Sequence, residues 1–121
     1  MAFIYNVTFD ALDPARLSAF WADVTGYEVA ESRDDFVRLR APDSRGVRHI
    51  LFFKVDDPTN GKNRMHVDLA SSDSGAEVER LVELGASLAD GRSNGMPVWR
   101  KGNGTGWVVM ADPEGNEFCV G

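Results

Sequence analysis

Asn6-Val7-Thr8-Phe9 reaches Asp13 seven positions after its first residue, and His66-Val67-Asp68-Leu69 reaches Asp73 at the same distance. Each pair is followed by an apolar-periodic stretch and then a glycine, Gly26 in the first case and Gly85 in the second. By identity the two segments match weakly, but by order of elements they match well, and such internal periodicity reads as a duplicated unit. The 121 residues therefore divide near Asn60 into repeat one, 1–59, and repeat two, 60–121, within a single domain.

Working outward, Phe3 to Phe9 alternates as a strand does, and if Val7 and Phe9 face a helix then Asn6 and Thr8 point to the opposite face. Asp13-Pro14 opens a helix: the carboxylate accepts an orphan N–H, and proline at the first helical position loses no bond. Leu17, Phe20, Trp21 and Val24 form its apolar stripe, and Gly26 suits its C-cap. Tyr27 to Ser32, Phe36 to Arg40 and His49 to Val55 read as three strands. In the last of these Leu51, Phe53 and Val55 share one face, with Ile50 and Phe52 on the other. His49 reads as a strand-end residue.

The second repeat predicts a strand from Met65 to Ala70 and a helix capped by Ser74 with Glu77, carrying Val78, Leu81 and Val82 to Gly85. Short strands follow at Ala86 to Ala89, Trp107 to Ala111 and Glu117 to Val120, the last after the Asp112-Pro113-Glu114-Gly115-Asn116 turn, with Pro97 to Arg100 as an additional short edge strand beyond the repeated order. The predicted class is α+β, with paired βαβββ repeats forming a curved mixed sheet around a cleft. A ferredoxin-type sandwich is the alternative, but each repeat holds one strand too many for its simplest form.

Composition narrows function. Nineteen acids against thirteen bases give a net charge of −6, and no basic cluster favours nucleic acid. No apolar run approaches the roughly 18 residues of a membrane span, and MAFIYNV lacks the layout of a secretory signal, so a cytoplasmic protein without a membrane partner is expected. Cys119 is the single cysteine, which leaves no intrachain disulfide. His49 and His66 are too few for an all-histidine metal site. The glycines at 102, 104 and 106 lie between two strands with no lysine–serine pair after them, which removes the basis of a phosphate loop.

The chain resembles the vicinal-oxygen-chelate superfamily, the glyoxalase, bleomycin-resistance and extradiol-dioxygenase group. The resemblance is carried by Asp13-Pro14 with Leu17, Phe20 and Trp21, by Lys62 to Leu69, by Arg80 to Ala86, and by Asp112 to Cys119. Enzymes of that superfamily hold a divalent metal with one inward residue from the first and one from the last strand of each repeat. The resemblance places those positions at Asn6, Phe53, His66 and Cys119. His66 fits the pattern, whereas Phe53 has no donor atom, Asn6 is a weak neutral ligand, and Cys119 stands where a glutamate is expected.

The expected function is therefore binding of a small molecule without the usual metal cofactor. The expected lining is Asn6, Thr8, Leu51, Phe53, His66, Asp68, Met110 and Cys119, apolar surface with a few polar points. The alternative is a metal-dependent lyase, isomerase or dioxygenase with His66 and Cys119 as catalytic candidates. Such an enzyme would use them on a divalent metal such as zinc, with a carboxylate from Asp68 or Asp112. A Cys119–His66 nucleophilic dyad would need the sulfur within hydrogen-bond reach of the ring. The resemblance is also compatible with a homodimer, although one chain holds both repeats of a cleft. Trp99 and Trp107 bracket the glycine-rich hairpin as further rim candidates.

Overall fold

Two βαβββ units follow one another in the computed structural model, which describes residues 4–43, 46–57, 67–89 and 108–121. The units are Met1–Asn60 and Gly61–Gly121. In the first, β1 (Asn6–Ala11), α1 (Pro14–Thr25), β2 (Glu28–Arg33), β3 (Phe36–Arg40) and β4 (His49–Lys54) make a sheet of order β1-β4-β3-β2 with one helix. β1 runs parallel to β4, and the other neighbours are antiparallel.

Helix α1 starts where Asp13 accepts from the backbone N–H of Arg16 at 3.2 Å, with Pro14 as its first residue. It stops at Gly26, whose φ of 75° turns the chain while its N–H bonds to Ala22 O at 2.8 Å. Leu17, Phe20 and Trp21 are buried, and the Trp21 ring lies 5.4 Å from Phe9. Phe9 in turn stacks on Phe52 at 5.4 Å, directly opposite it in register. Val37 and Leu39 complete this layer, and each such buried side chain contributes about 1.5–3 kcal/mol. The helix-facing set is thus Phe9, Ala11, Val37, Leu39, Ile50 and Phe52, which leaves Asn6, Thr8, Leu51 and Phe53 on the other face as expected. β1 begins at Asn6, and its bounds follow the parallel pairing with β4, from Asn6–His49 to Ala11–Lys54; Phe3, where the predicted strand starts, lies outside the described residues.

The second unit repeats this topology with β5 (Asp68–Leu69), α2 (Ser74–Glu83), β6 (Ser87–Leu88), β7 (Val108–Ala111) and β8 (Glu117–Val120), in the order β5-β8-β7-β6. β5 is again parallel to β8. The same strand order in both units supports the duplicated fold over the ferredoxin-type alternative. The cap of α2 is Asp73, not Ser74: its carboxylate accepts from Ala76 N at 3.0 Å, and Ser74 is already helical. Glu77 then turns to Arg80, at 2.6 Å, instead of closing a capping box. Asp73 is the counterpart of Asp13, so the repeat spacing was the better guide.

Between β7 and β8 the buried Asp112 carboxylate organises the turn. It accepts from Glu114 N and Asn116 N, each at 2.9 Å, and from Asn116 Nδ2 at 3.1 and 2.8 Å. Gly115 takes a φ of 85°, which a side chain would strain. No helix among the described residues is long and apolar enough to cross a membrane. The predicted strand at Pro97 to Arg100, the glycine-rich loop, Trp99, Trp107, Lys62 and Arg64 lie outside the described residues.

Candidate functional site

Strand register turns the helix-free face of the first sheet into three rows of side chains. The first row holds Asn6, His49 and Arg40, the second Thr8, Leu51 and Arg38, and the third Asp10, Phe53 and Phe36. On edge strand β2, Glu28, Glu31 and Arg33 continue the rows. Asn6 and Phe53 therefore share a face but stand two rows apart, about 13 Å along the strands.

The third row is aromatic. Phe53 is 44% exposed and Phe36 is buried, with ring centroids 4.8 Å apart. The Arg33 guanidinium sits 5.0 Å above Phe36, a cation–π contact that covers the ring's edge strand side. Glu31 binds Arg38 at 3.1 Å and Arg33 at 3.5 Å, tying the rows together. Arg38 Nε is buried without a hydrogen-bond partner among the described residues.

The first row is polar. His49 Nδ1 lies 3.0 Å from Asn6 Oδ1, within hydrogen-bond distance, and the ring meets Tyr5 edge-on at 5.2 Å. Burial and the nearby Arg38, Arg48 and Arg40 charges hold the His49 pKa below its usual range. His49 is thus more than a strand end. Sequence reading missed it because alternation assigns a face and not a partner across a parallel pair.

In the second sheet Asp68 lies opposite Cys119, and Val109 is next to Cys119 on the other side. Cys119 is 4% exposed. Burial pushes its thiol up, and the adjacent Asp68 and Glu117 carboxylates push it further, with Asp68 also hydrogen-bonded to it. Met110 departs from expectation: it pairs with Phe118, on the opposite face of β7 from the Cys119 row, and is fully buried. It fills the core, since side chains of adjacent residues point to opposite faces. His66 lies outside the described residues.

The residues from Asn6 to Gly121 match the profile of the "Glyoxalase-like domain" (residues 6–121). The chain belongs to the glyoxalase-like domain family. Solved structures carry the same fold. A glyoxalase/bleomycin resistance protein/dioxygenase family enzyme from Burkholderia phytofirmans PsJN is similar at 20% identity and a TM-score of 0.73, over 98% of this chain and 97% of that one. The bleomycin-binding protein of Streptomyces verticillus, solved with copper(II)-bleomycin, is 17% identical with a TM-score of 0.60, over 99% and 95%. A fosfomycin resistance protein from Listeria monocytogenes is 15% identical with a TM-score of 0.72, over 99% and 89%. It was solved as an E126Q mutant with Mn(II) and 1S,2S-dihydroxypropylphosphonic acid. At these identities the likeness is one of fold. The sequence has no match among curated proteins.

In this glyoxalase-like domain the described donors fit a divalent metal poorly. The repeat aligns Thr8 with Asp68, and register pairs Thr8 with Leu51 and Asp68 with Cys119. The counterpart of Cys119 in the first repeat is therefore Leu51 rather than Phe53, and neither offers a donor atom. Asn6 gives its amide oxygen to His49. Asp112 spends its carboxylate on the β7–β8 turn, so it is not free to serve as the extra metal ligand. Cys119 keeps its proton more firmly than an ordinary thiol, opposite to what a thiolate ligand or nucleophile needs. Among the described residues no three His, Cys, Asp or Glu side chains gather as a metal set.

Proposed function

We propose that this chain recognises a small aromatic or amphipathic molecule on the helix-free face of its first sheet, by binding and without a catalytic metal. The observation that carries the reading is Phe53, 44% exposed yet held in mid-sheet by its partner Phe36. The helix-side core is already filled by Phe9, Trp21 and Phe52, so Phe53 serves no packing need there. Leu51 and Thr8 continue the surface, and Asn6, His49 and Arg38 supply polar points around it, the pattern of a small-molecule site. In the second unit, taken by itself, Asp68 and Cys119 lie opposite each other in register and are proposed with His66 as contact residues of that unit. Solved structures of the same fold bind bleomycin or a phosphonic acid, which supports a small organic ligand as the class.

The test is a fragment screen by backbone-amide NMR with chelator present throughout. Aromatic fragments are expected to shift Thr8, Leu51 and Phe53, and Phe53→Ser is expected to abolish those shifts. The reading fails if no fragment moves this face, or if binding appears only when divalent metal is restored and vanishes again in His66→Ala.

A further inference from the structure

The polar row at the start of β1 and β4 is more ordered than an exposed strand end requires. The backbone N–H groups of Arg48 and His49 both donate to Tyr5 O, at 3.1 and 3.3 Å, which pins the start of β4 beside Asn6. The His49 ring then stands edge-on to Tyr5, and its Nδ1 lies 3.0 Å from Asn6 Oδ1. An amide oxygen only accepts, so Nδ1 carries the hydrogen of this bond. A neutral imidazole has one N–H, and the other nitrogen, Nε2, is left with a lone pair. On the adjacent strand Arg40 is opposite His49, and Arg38 is one row further on.

We propose that Asn6 and His49 form a recognition dyad: Asn6 holds the ring in its Nδ1–H form, and Nε2 accepts the hydrogen bond of a phenol- or enol-type hydroxyl on the ligand. This rests on the ligand-binding reading of the same face and assigns its ligand class. The Arg38 and Arg40 charges favour the electron density that builds on the hydroxyl oxygen as its hydrogen is shared. Burial and the same charges disfavour the charged form of the ring, in the direction an acceptor requires. Leu51, in the next row, is the apolar floor for the ring that bears the hydroxyl, and Phe53, two rows from His49, meets the far end of a longer ligand. Asn6 is a positioning residue and His49 the contacting one.

The experiment uses the full chain labelled with nitrogen-15 and two probes, p-cresol and 4-methylanisole, which differ by the hydroxyl proton. The ring nitrogens of His49 are expected to report the Nδ1–H form before any probe is added. p-Cresol is expected to bind about tenfold more tightly than 4-methylanisole, the upper end of the net worth of one hydrogen bond. In Asn6→Ala the nitrogens are expected to move to mixed-form positions and the preference to shrink to about twofold. An Nε2–H form in the unmodified protein overturns the dyad even if Asn6→Ala fails to fold. Equal affinity for both probes, with shifts still at Phe53, overturns the dyad and leaves the binding face standing. Absence of shifts with either probe also overturns the dyad, while the fragment screen decides the face separately.

Discussion

Phe36 on β3 and Phe53 on β4 stand side by side with centroids 4.8 Å apart, and only Phe36 is buried. Their unequal exposure separates the supporting ring from the exposed one. Phe36, under Arg33 and beside Phe53, holds the platform, and Phe53 offers it to solvent.

Phe53→Ala is accordingly expected to cost about 1 kcal/mol of stability, an aromatic pair with part of its burial. The same change is expected to weaken aromatic fragments by about tenfold or more, since the contact surface itself is removed. Urea unfolding and fragment titration on the same variant read the two effects apart.

Asp112→Ala is expected to destabilise far more, by about 3 kcal/mol, because Glu114 N, Asn116 N and Asn116 Nδ2 lose their acceptor in a buried turn. Asp112→Asn keeps one acceptor oxygen and is expected to recover about half of that loss. Urea midpoints at constant slope measure both. A cost no larger than that of a surface substitution in the first variant would contradict the turn's role.

The cap assignment on α2 is tested by a pair of neighbours. Asp73→Ala is expected to cost about 1 kcal/mol through the lost bond to Ala76 N, and Ser74→Ala less than half as much. Thermal unfolding of the two variants ranks them, and the reverse ranking would restore Ser74 as the cap.

Cys119 is expected to resist iodoacetamide at neutral pH, alkylating about tenfold more slowly than an unstructured thiol. Asp68→Asn is expected to speed the reaction by removing one of the charges that raise the thiol pKa. The linkage has a definite sign. A raised folded-state pKa means that the folded protein holds the proton more tightly. The associated stability is complete below the ordinary thiol value of 9.0 and is lost as pH rises above it toward the raised value. Unfolding followed from neutral to alkaline pH is expected to show that decline, and Asp68→Asn to soften it.

Much of the fold was legible in the chain. Asp13-Pro14 and Gly26 bound α1 as read, β3 runs from Phe36 to Arg40, and β8 occupies Glu117 to Val120. These elements carry their own signals: a cap, a period, a turn residue. The misses occurred where local signals compete. Ser74 and Asp73 are both sound caps by type, and only the hydrogen bond to Ala76 chooses between them. Met110 sits in a short strand where either face of Val-Val-Met-Ala can be turned inward, and pairing with Phe118 turned Met110 to the core.

Which residues of β1 and β4 share a face was legible in the chain, and how they pair was not. Alternation placed Asn6, Thr8, Leu51 and Phe53 on one face correctly, because side-chain direction follows from strand geometry alone. It gives no row, and only the register sets Asn6 beside His49.

Local patterns in the chain fix the duplicated βαβββ order, the proline and glycine bounds of α1, and the scarcity of donor atoms at the positions its resemblance points to. The tertiary structure decided which residues meet: His49 with Asn6, Phe36 with Phe53, Asp68 with Cys119. The physical reason is that period and propensity act within a few residues of chain. Register between β1 and β4 is set by hydrogen bonds and packing across some forty residues, information that no local pattern contains.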